Sequence, residues 1–251
     1  EVAREPTLDA LGLVHQRLEA REQSRDLDSI HLDRTPFQVV SALHVHHAAA
    51  LMLCGLAAKF AGVRRTVMTE HALFQLQERP DYRRSAVRYC KLADAITVVA
   101  PEQRDYFHNE IHVPLERLHY LPNGVAVRPR IPAVRARIRQ EFSIDDDRFV
   151  FMYVGRLNEI KSLPTLLNAI ALCADLRAHW LIVGDGPERA ALEALRVTLG
   201  IESRVTFAGA RTDVHDLLMA ADGFVMSSRS EGMPMAMLEA MAAELPCVST
   251  A

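Results

Sequence analysis

Residues Arg148–Val183 read RFVFMYVGRLNEIKSLPTLLNAIALCADLRAHWLIV. Arg148–Val154 is a short run of aromatic and β-branched residues, as a buried strand requires. Ser162–Leu176 then places Leu163, Leu166, Leu167, Ile170 and Leu172 near a helical period, and Trp180–Val183 returns to strand composition. Strand, amphipathic helix and strand in succession are the unit of a parallel sheet wrapped by helices. Working outward, the same rhythm gives strands at Ala42–His46, Thr66–Thr69, Ala95–Val99, Val205–Phe207, Gly223–Met226 and Cys247–Ser249. A helix over Pro187–Leu199 opens with a proline in the first turn, where a missing N–H costs nothing.

Val125–Asp147 (VAVRPRIPAVRARIRQEFSIDDD) breaks this rhythm with prolines, a basic run and an acidic triplet. The sequence therefore predicts an α/β protein of two doubly wound, Rossmann-like domains facing a central cleft. The first covers residues 1–130, a linker covers 131–147, and the second covers 148–251. Leu8–Leu27 reads as helical in part, and the basic stretch Arg128–Arg139 as a solvated linker helix.

Composition narrows the function. The chain has 251 residues, 49% hydrophobic and 24% charged, which suits a folded chain and not a disordered one. A formal charge of −3 gives no basic field for nucleic acid. The most apolar run, Ala48–Ala58, stops at Lys59, well short of the ~20 residues that cross a bilayer. Cys54, Cys90, Cys173 and Cys247 are widely spaced in apolar contexts, which predicts reduced core thiols and a cytoplasmic location. The chain starts at Glu1 and stops just after a strand pattern, so a piece trimmed at both ends is expected.

The chemistry concentrates in Ser228–Ala243, SRSEGMPMAMLEAMAA. Glu231, Gly232 and Met233 form a turn into a helix whose first position is Pro234. The backbone amides of Gly232 and Met233, with the helix dipole, would then face an anion such as a diphosphate. Glu231 and Glu239 would lie roughly 12 Å apart along the axis, about the span from a sugar to a ribose across a diphosphate. Spacing alone favours two solvated glutamates on a surface helix.

The surrounding segment SEGMPMAMLEAMAAELPCVST resembles the nucleotide-sugar motif of retaining family 4 glycosyltransferases, which have the GT-B fold. The resemblance continues in ADGFVMSS (221–228), RTDV (211–214), RVTFAGA (204–210), VGDGPER (183–189) and YVGRLNEIKS (153–162). In the first half it runs through LHVHH (43–47), TEH (69–71), LADAITVVA (92–100) and LPNGV (121–125), all in order. It implies a retaining transferase that moves a sugar from a nucleoside diphosphate donor to a hydroxyl acceptor. Attack would come from the front face, with the departing phosphate taking the acceptor proton. It implies that Arg156 and Lys161 hold the diphosphate and that Gly155 lets the backbone approach. Glu231 would contact the sugar beside Gly232, Met233 and Pro234, and Glu239 would take the ribose. His71 would be the first-domain cleft histidine.

By the same resemblance Gly184, in GDGP, lies in a cleft-wall turn near the nucleoside, and His44, His46 and His47 belong to a structural strand. Three bunched histidines also invite a metal reading, but they lack a carboxylate or cysteine partner in sequence. Asp145–Asp147 fits an acidic turn before a strand better than a metal clamp, and no essential metal is expected. The family usually has glycine where this chain has Ser162 and Glu244. Its glycine-rich start and its later acidic segment are not visible, which predicts an incomplete cleft and weak turnover by residues 1–251. A lipid acceptor would bring peripheral membrane association. Alternatives are a nucleotide-sugar epimerase on the same fold and a non-catalytic nucleotide-sugar binder.

Overall fold

The computed structural model describes residues 40–250; the helix expected at Leu8–Leu27 lies outside them. Four parallel strands form the first sheet: β1 (Ala42–His46), β2 (Arg65–Glu70), β3 (Ala95–Val98) and β4 (Leu118–Tyr120), in that order. The second has five: β5 (Phe149–Val154), β6 (Ala178–Val183), β7 (Val205–Gly209), β8 (Gly223–Met226) and β9 (Cys247–Ser249). They are also parallel, in the order β7-β6-β5-β8-β9. This is the α/β, GT-B-type architecture expected from the sequence.

Period-two alternation explains the burial of the second sheet on both faces. Val150, Met152, Leu181 and Val183 enter one core with Phe224 and Leu217. Tyr153, Trp180 and Ile182 enter the opposite one, against Leu163, Leu166, Leu167 and Ile170 of the helix Leu163–Leu172. In the first sheet Met68, Ile96 and Val98 pack with Leu51 and Phe107.

Several expectations are corrected. The helix over 162–176 ends at Leu172, whose side chain is 89% exposed and outside the core. The helix after the Glu231 turn starts at Met235, with Pro234 as its extended N-cap at φ −70° and ψ 116°. β4 was not foreseen, because three residues (LHY) carry too little pattern. The stretch read as a solvated linker helix is the helix Pro132–Glu141, docked on the second sheet. Ile138 is fully buried there, and Arg139, 3% exposed at its side chain, donates to Asp222 Oδ2 at 2.6 Å. Arg135 Nη2 donates to the other oxygen of Asp222 at 2.7 Å, and the Val150 amide donates to Oδ2 at 2.8 Å. Cys54 is exposed and so is no core thiol, whereas burial pushes the Cys90 thiol pKa up to about 12. No helix among the described residues is long and apolar enough to cross a membrane.

Candidate active site

In the second sheet the chain order reverses between β5 and β8, so the loops leaving their C-terminal ends diverge and open a crevice. The loop after β5 carries Gly155, Arg156 and, in the 3₁₀ turn Glu159–Lys161, Lys161. The loop after β8 carries Ser227–Glu231. Backbone bonds tie the two together: the Arg229 amide donates to the Ile160 carbonyl at 2.8 Å, and Ser227 Oγ to the Lys161 carbonyl at 2.9 Å. Across this junction Lys161 Nζ donates to Glu231 Oε1 at 2.5 Å, with each side chain about one-fifth exposed. The Arg156 side chain is exposed and has no hydrogen-bond partner among the described residues.

The GDGP turn after β6 forms the adjoining wall. Gly184 has φ 131°, and a methyl group built there would lie 1.9 Å from the Gly155 carbonyl oxygen. One on Gly186 would lie 2.3 Å from that of Leu157. Only glycine permits this approach, which lets the Leu157 amide donate to the Asp185 carbonyl at 2.9 Å. The turn thus braces the Arg156 loop.

Gly232 and Met233 reach toward the loops of the first sheet. A methyl on Gly232 would meet the His71 carbonyl oxygen at 1.9 Å and Gln103 Nε2 at 2.6 Å. Asn123 Nδ2 donates to the Met233 carbonyl at 3.0 Å. The structure therefore brings Arg156, Lys161, Glu231, Gly232 and Met233 into one region with His71. Glu239 opens elsewhere, onto a cavity of about 490 Å³ lined also by Gly124, Arg128, Val154 and His215. Glu231 and Pro234 line a smaller one of about 240 Å³ with Thr250.

The first-sheet half holds residues that sequence reading passed over. Glu70, 2% exposed, accepts from His47 Nδ1 at 2.5 Å, from the Ala48 amide at 3.1 Å and from the His71 amide at 3.1 Å. His47 sits at φ 68°, a left-handed conformation uncommon outside glycine. His46 Nδ1 lies 2.8 Å from His71 Nε2, in hydrogen-bond contact, and the two rings stack with centroids 5.1 Å apart. Hydrogen bonding to Glu70 raises the His47 pKa, against the opposing effect of burial. Burial, followed by the nearby His47 and His46 charges, lowers that of His71. The ends of β1 and β2 therefore set a His47 whose protonated form is favoured beside a His71 whose neutral form is favoured.

The HVHH pattern placed these histidines on one strand; the strand in fact ends at His46 and His47 opens the helix His47–Phe60, and parallel pairing with β2 is what brings His71 and Glu70 beside them. No group of three His, Cys, Asp or Glu residues among those described is arranged to hold a metal ion. Gln103 Nε2 and His215 Nε2 are buried with no partner among the described residues, and nothing in their local sequence singles them out.

Comparison with known proteins matches both halves. The family described as Glycosyltransferase Family 4 matches residues 21–128, and that described as Glycosyl transferases group 1 matches residues 148–251. N-acetyl-alpha-D-glucosaminyl L-malate synthase of Bacillus anthracis is 28% identical over 214 residues, covering 83% of this chain and 56% of its own. UDP-Gal:alpha-D-GlcNAc-diphosphoundecaprenol alpha-1,3-galactosyltransferase of Escherichia coli is 28% identical over 218 residues, covering 82% and 56%. The crystal structure of Anabaena HepE in complex with UDP and glucose superposes with TM-score 0.76 at 23% identity, over 83% of this chain and 59% of that one. The chain spans about half the length of these curated relatives.

Proposed function

We propose that this chain, whose two halves match the models described as Glycosyltransferase Family 4 and Glycosyl transferases group 1, transfers a sugar from a nucleoside diphosphate donor to a hydroxyl acceptor with retention of configuration. The observation that carries this reading is the Lys161–Glu231 ion pair across the junction of the loops after β5 and β8, with Arg156 on the same loop as Lys161. A sugar diphosphate needs cations at the leaving group and an acceptor of hydrogen bonds at the sugar, and both stand here within one ion pair of each other.

In this reading Arg156 grips the diphosphate with two donors, and Lys161 supplies a point charge. An ammonium has three donors, so Lys161 can keep Glu231 while meeting a phosphate oxygen. The amides of Gly232 and Met233 add dipoles toward the developing charge. Glu231 accepts from sugar hydroxyls, His71 hydrogen-bonds the sugar, and Glu239 takes the ribose hydroxyls in its own cavity. The bond from the anomeric carbon to the phosphate oxygen breaks with its electron pair on the phosphate. The acceptor oxygen bonds to the same face, and its proton passes to the departing phosphate. No side chain acts as nucleophile, and two basic side chains do the work a metal does in other transferases.

The E. coli relative is named for a UDP-linked donor and HepE is described with UDP, which favours uridine diphosphate here. Calorimetric titration of UDP, GDP and ADP into this chain tests the reading. UDP binding that weakens at least about tenfold in Arg156→Ala, Glu239→Ala supports it. Equal binding by both chains overturns it.

A further inference from the structure

Beside the donor-side loops lies a cavity of about 720 Å³, bounded by the helix His47–Phe60, the segment Ala72–Tyr82 and the turn Asn158–Ile160. His46, His47, Glu70 and Tyr82 bring polar groups to it, while Ala49, Ala50, Leu53, Ala72, Phe74 and Ile160 make its walls mostly apolar. Among the described residues that line it there is no lysine or arginine. Its two carboxylates already have partners: Glu70 holds His47, and Glu159 holds Arg229 at 3.2 Å. An anion entering here would meet carboxylates without a spare cation. An uncharged molecule with an apolar body would meet matching walls.

His46 lines this cavity and at the same time hydrogen-bonds His71, whose carbonyl touches the Gly232 turn. The ring therefore spans the step from the cavity to the donor-side loop. Asn158 contributes a further polar group, a buried Oδ1 with no partner among the described residues.

We infer that this cavity takes the acceptor, that the acceptor is an uncharged molecule bearing a hydroxyl on an apolar body, and that His46 is the residue its hydroxyl meets. This rests on the glycosyl-transfer reading for the word acceptor, but the chemistry of the cavity stands on its lining alone. Through the Nδ1···Nε2 bond, an acceptor hydroxyl on His46 is held in register with His71 and hence with the sugar. His46 is a contact and positioning residue, and no proton transfer to it is required.

The test uses the 251-residue chain with ¹⁵N-labelled histidine, followed by NMR of the ring nitrogens. Hexyl β-D-glucoside is the uncharged probe and hexyl phosphate the anionic one. The glucoside is expected to shift the His46 and His71 ring signals together and saturably, with affinity about tenfold above that of hexyl phosphate. Leu53 is 82% exposed at the rim, so Leu53→Arg leaves the fold intact. It is expected to reverse the preference by adding the missing cation. Hexyl phosphate binding as well as the glucoside in the unsubstituted chain overturns the inference, as does a glucoside that leaves both rings unmoved. UDP titration separates the two readings: UDP binding without a glucoside response removes only the acceptor inference. A glucoside response without UDP binding supports the cavity chemistry and removes the donor reading.

Discussion

Ser162 and Glu244 occupy the left-handed region, at φ 49° and φ 60°, and these are the two positions where the family usually has glycine. An L-residue there costs about 1 kcal/mol relative to glycine. Ser162 recovers part of it through the 2.9 Å contact of its hydroxyl with Thr165 Oγ1. Glu244→Gly is therefore expected to stabilise the chain by about 1 kcal/mol in urea unfolding, and Ser162→Gly by less. Two histidines give opposite pH slopes. Burial, then the Arg148 charge, holds His179 down to about 4. Between about 4 and the ordinary 6.5 the unfolded chain binds the extra proton, so stability falls as pH drops through that window. His179→Gln should flatten that acid limb of the urea midpoint. His47, raised by Glu70, contributes stability that is complete below 6.5 and lost as pH rises through its raised folded value. His47→Gln should remove that component, and an unchanged slope in either variant would contradict these assignments.

At the scale of elements, the helix Pro132–Glu141 is held to the second sheet by one carboxylate. Asp222 receives Arg135, Arg139 and the Val150 amide, and Arg139 is buried. Asp222→Ala leaves a buried guanidinium with only carbonyl partners, and the expected loss is about 3 kcal/mol. A urea midpoint unchanged by the substitution would show that the helix docks by its apolar side alone. Why the sequence misplaced this helix is clear from the same contacts. Five arginines in the twelve residues Arg128–Arg139 read as solvated unless the distant Asp222 is known, and its partners lie 83 and 87 residues away. The central strands were legible because their burial is set by local alternation. β4 and the start of the helix at Met235 were not, since three residues or one proline give no period. The donor-side residues were legible as a motif. The Glu70–His47 and His46–His71 contacts arise only from the β1–β2 register, in which His46 pairs with Thr69.

For the whole molecule, the proposed transfer takes place where the ends of the first sheet's strands meet the turn after β8. Gly232 is a tight point there, since a methyl group on it would meet the His71 carbonyl oxygen and Gln103 Nε2. Gly232→Ala must move that turn away, so it is expected to weaken nucleotide binding at least about tenfold while changing the unfolding free energy in urea by no more than about 1 kcal/mol. Unaltered binding would mean that the turn does not help form the donor site. The central claim is that one crevice, between the loops after β5 and β8, holds the donor diphosphate. A crystal structure of this chain with UDP measures that directly. The account predicts diphosphate oxygens within hydrogen-bond distance of Arg156 and Lys161, and ribose hydroxyls on Glu239. A diphosphate bound away from both cations, or in the cavity beside His46, would contradict it.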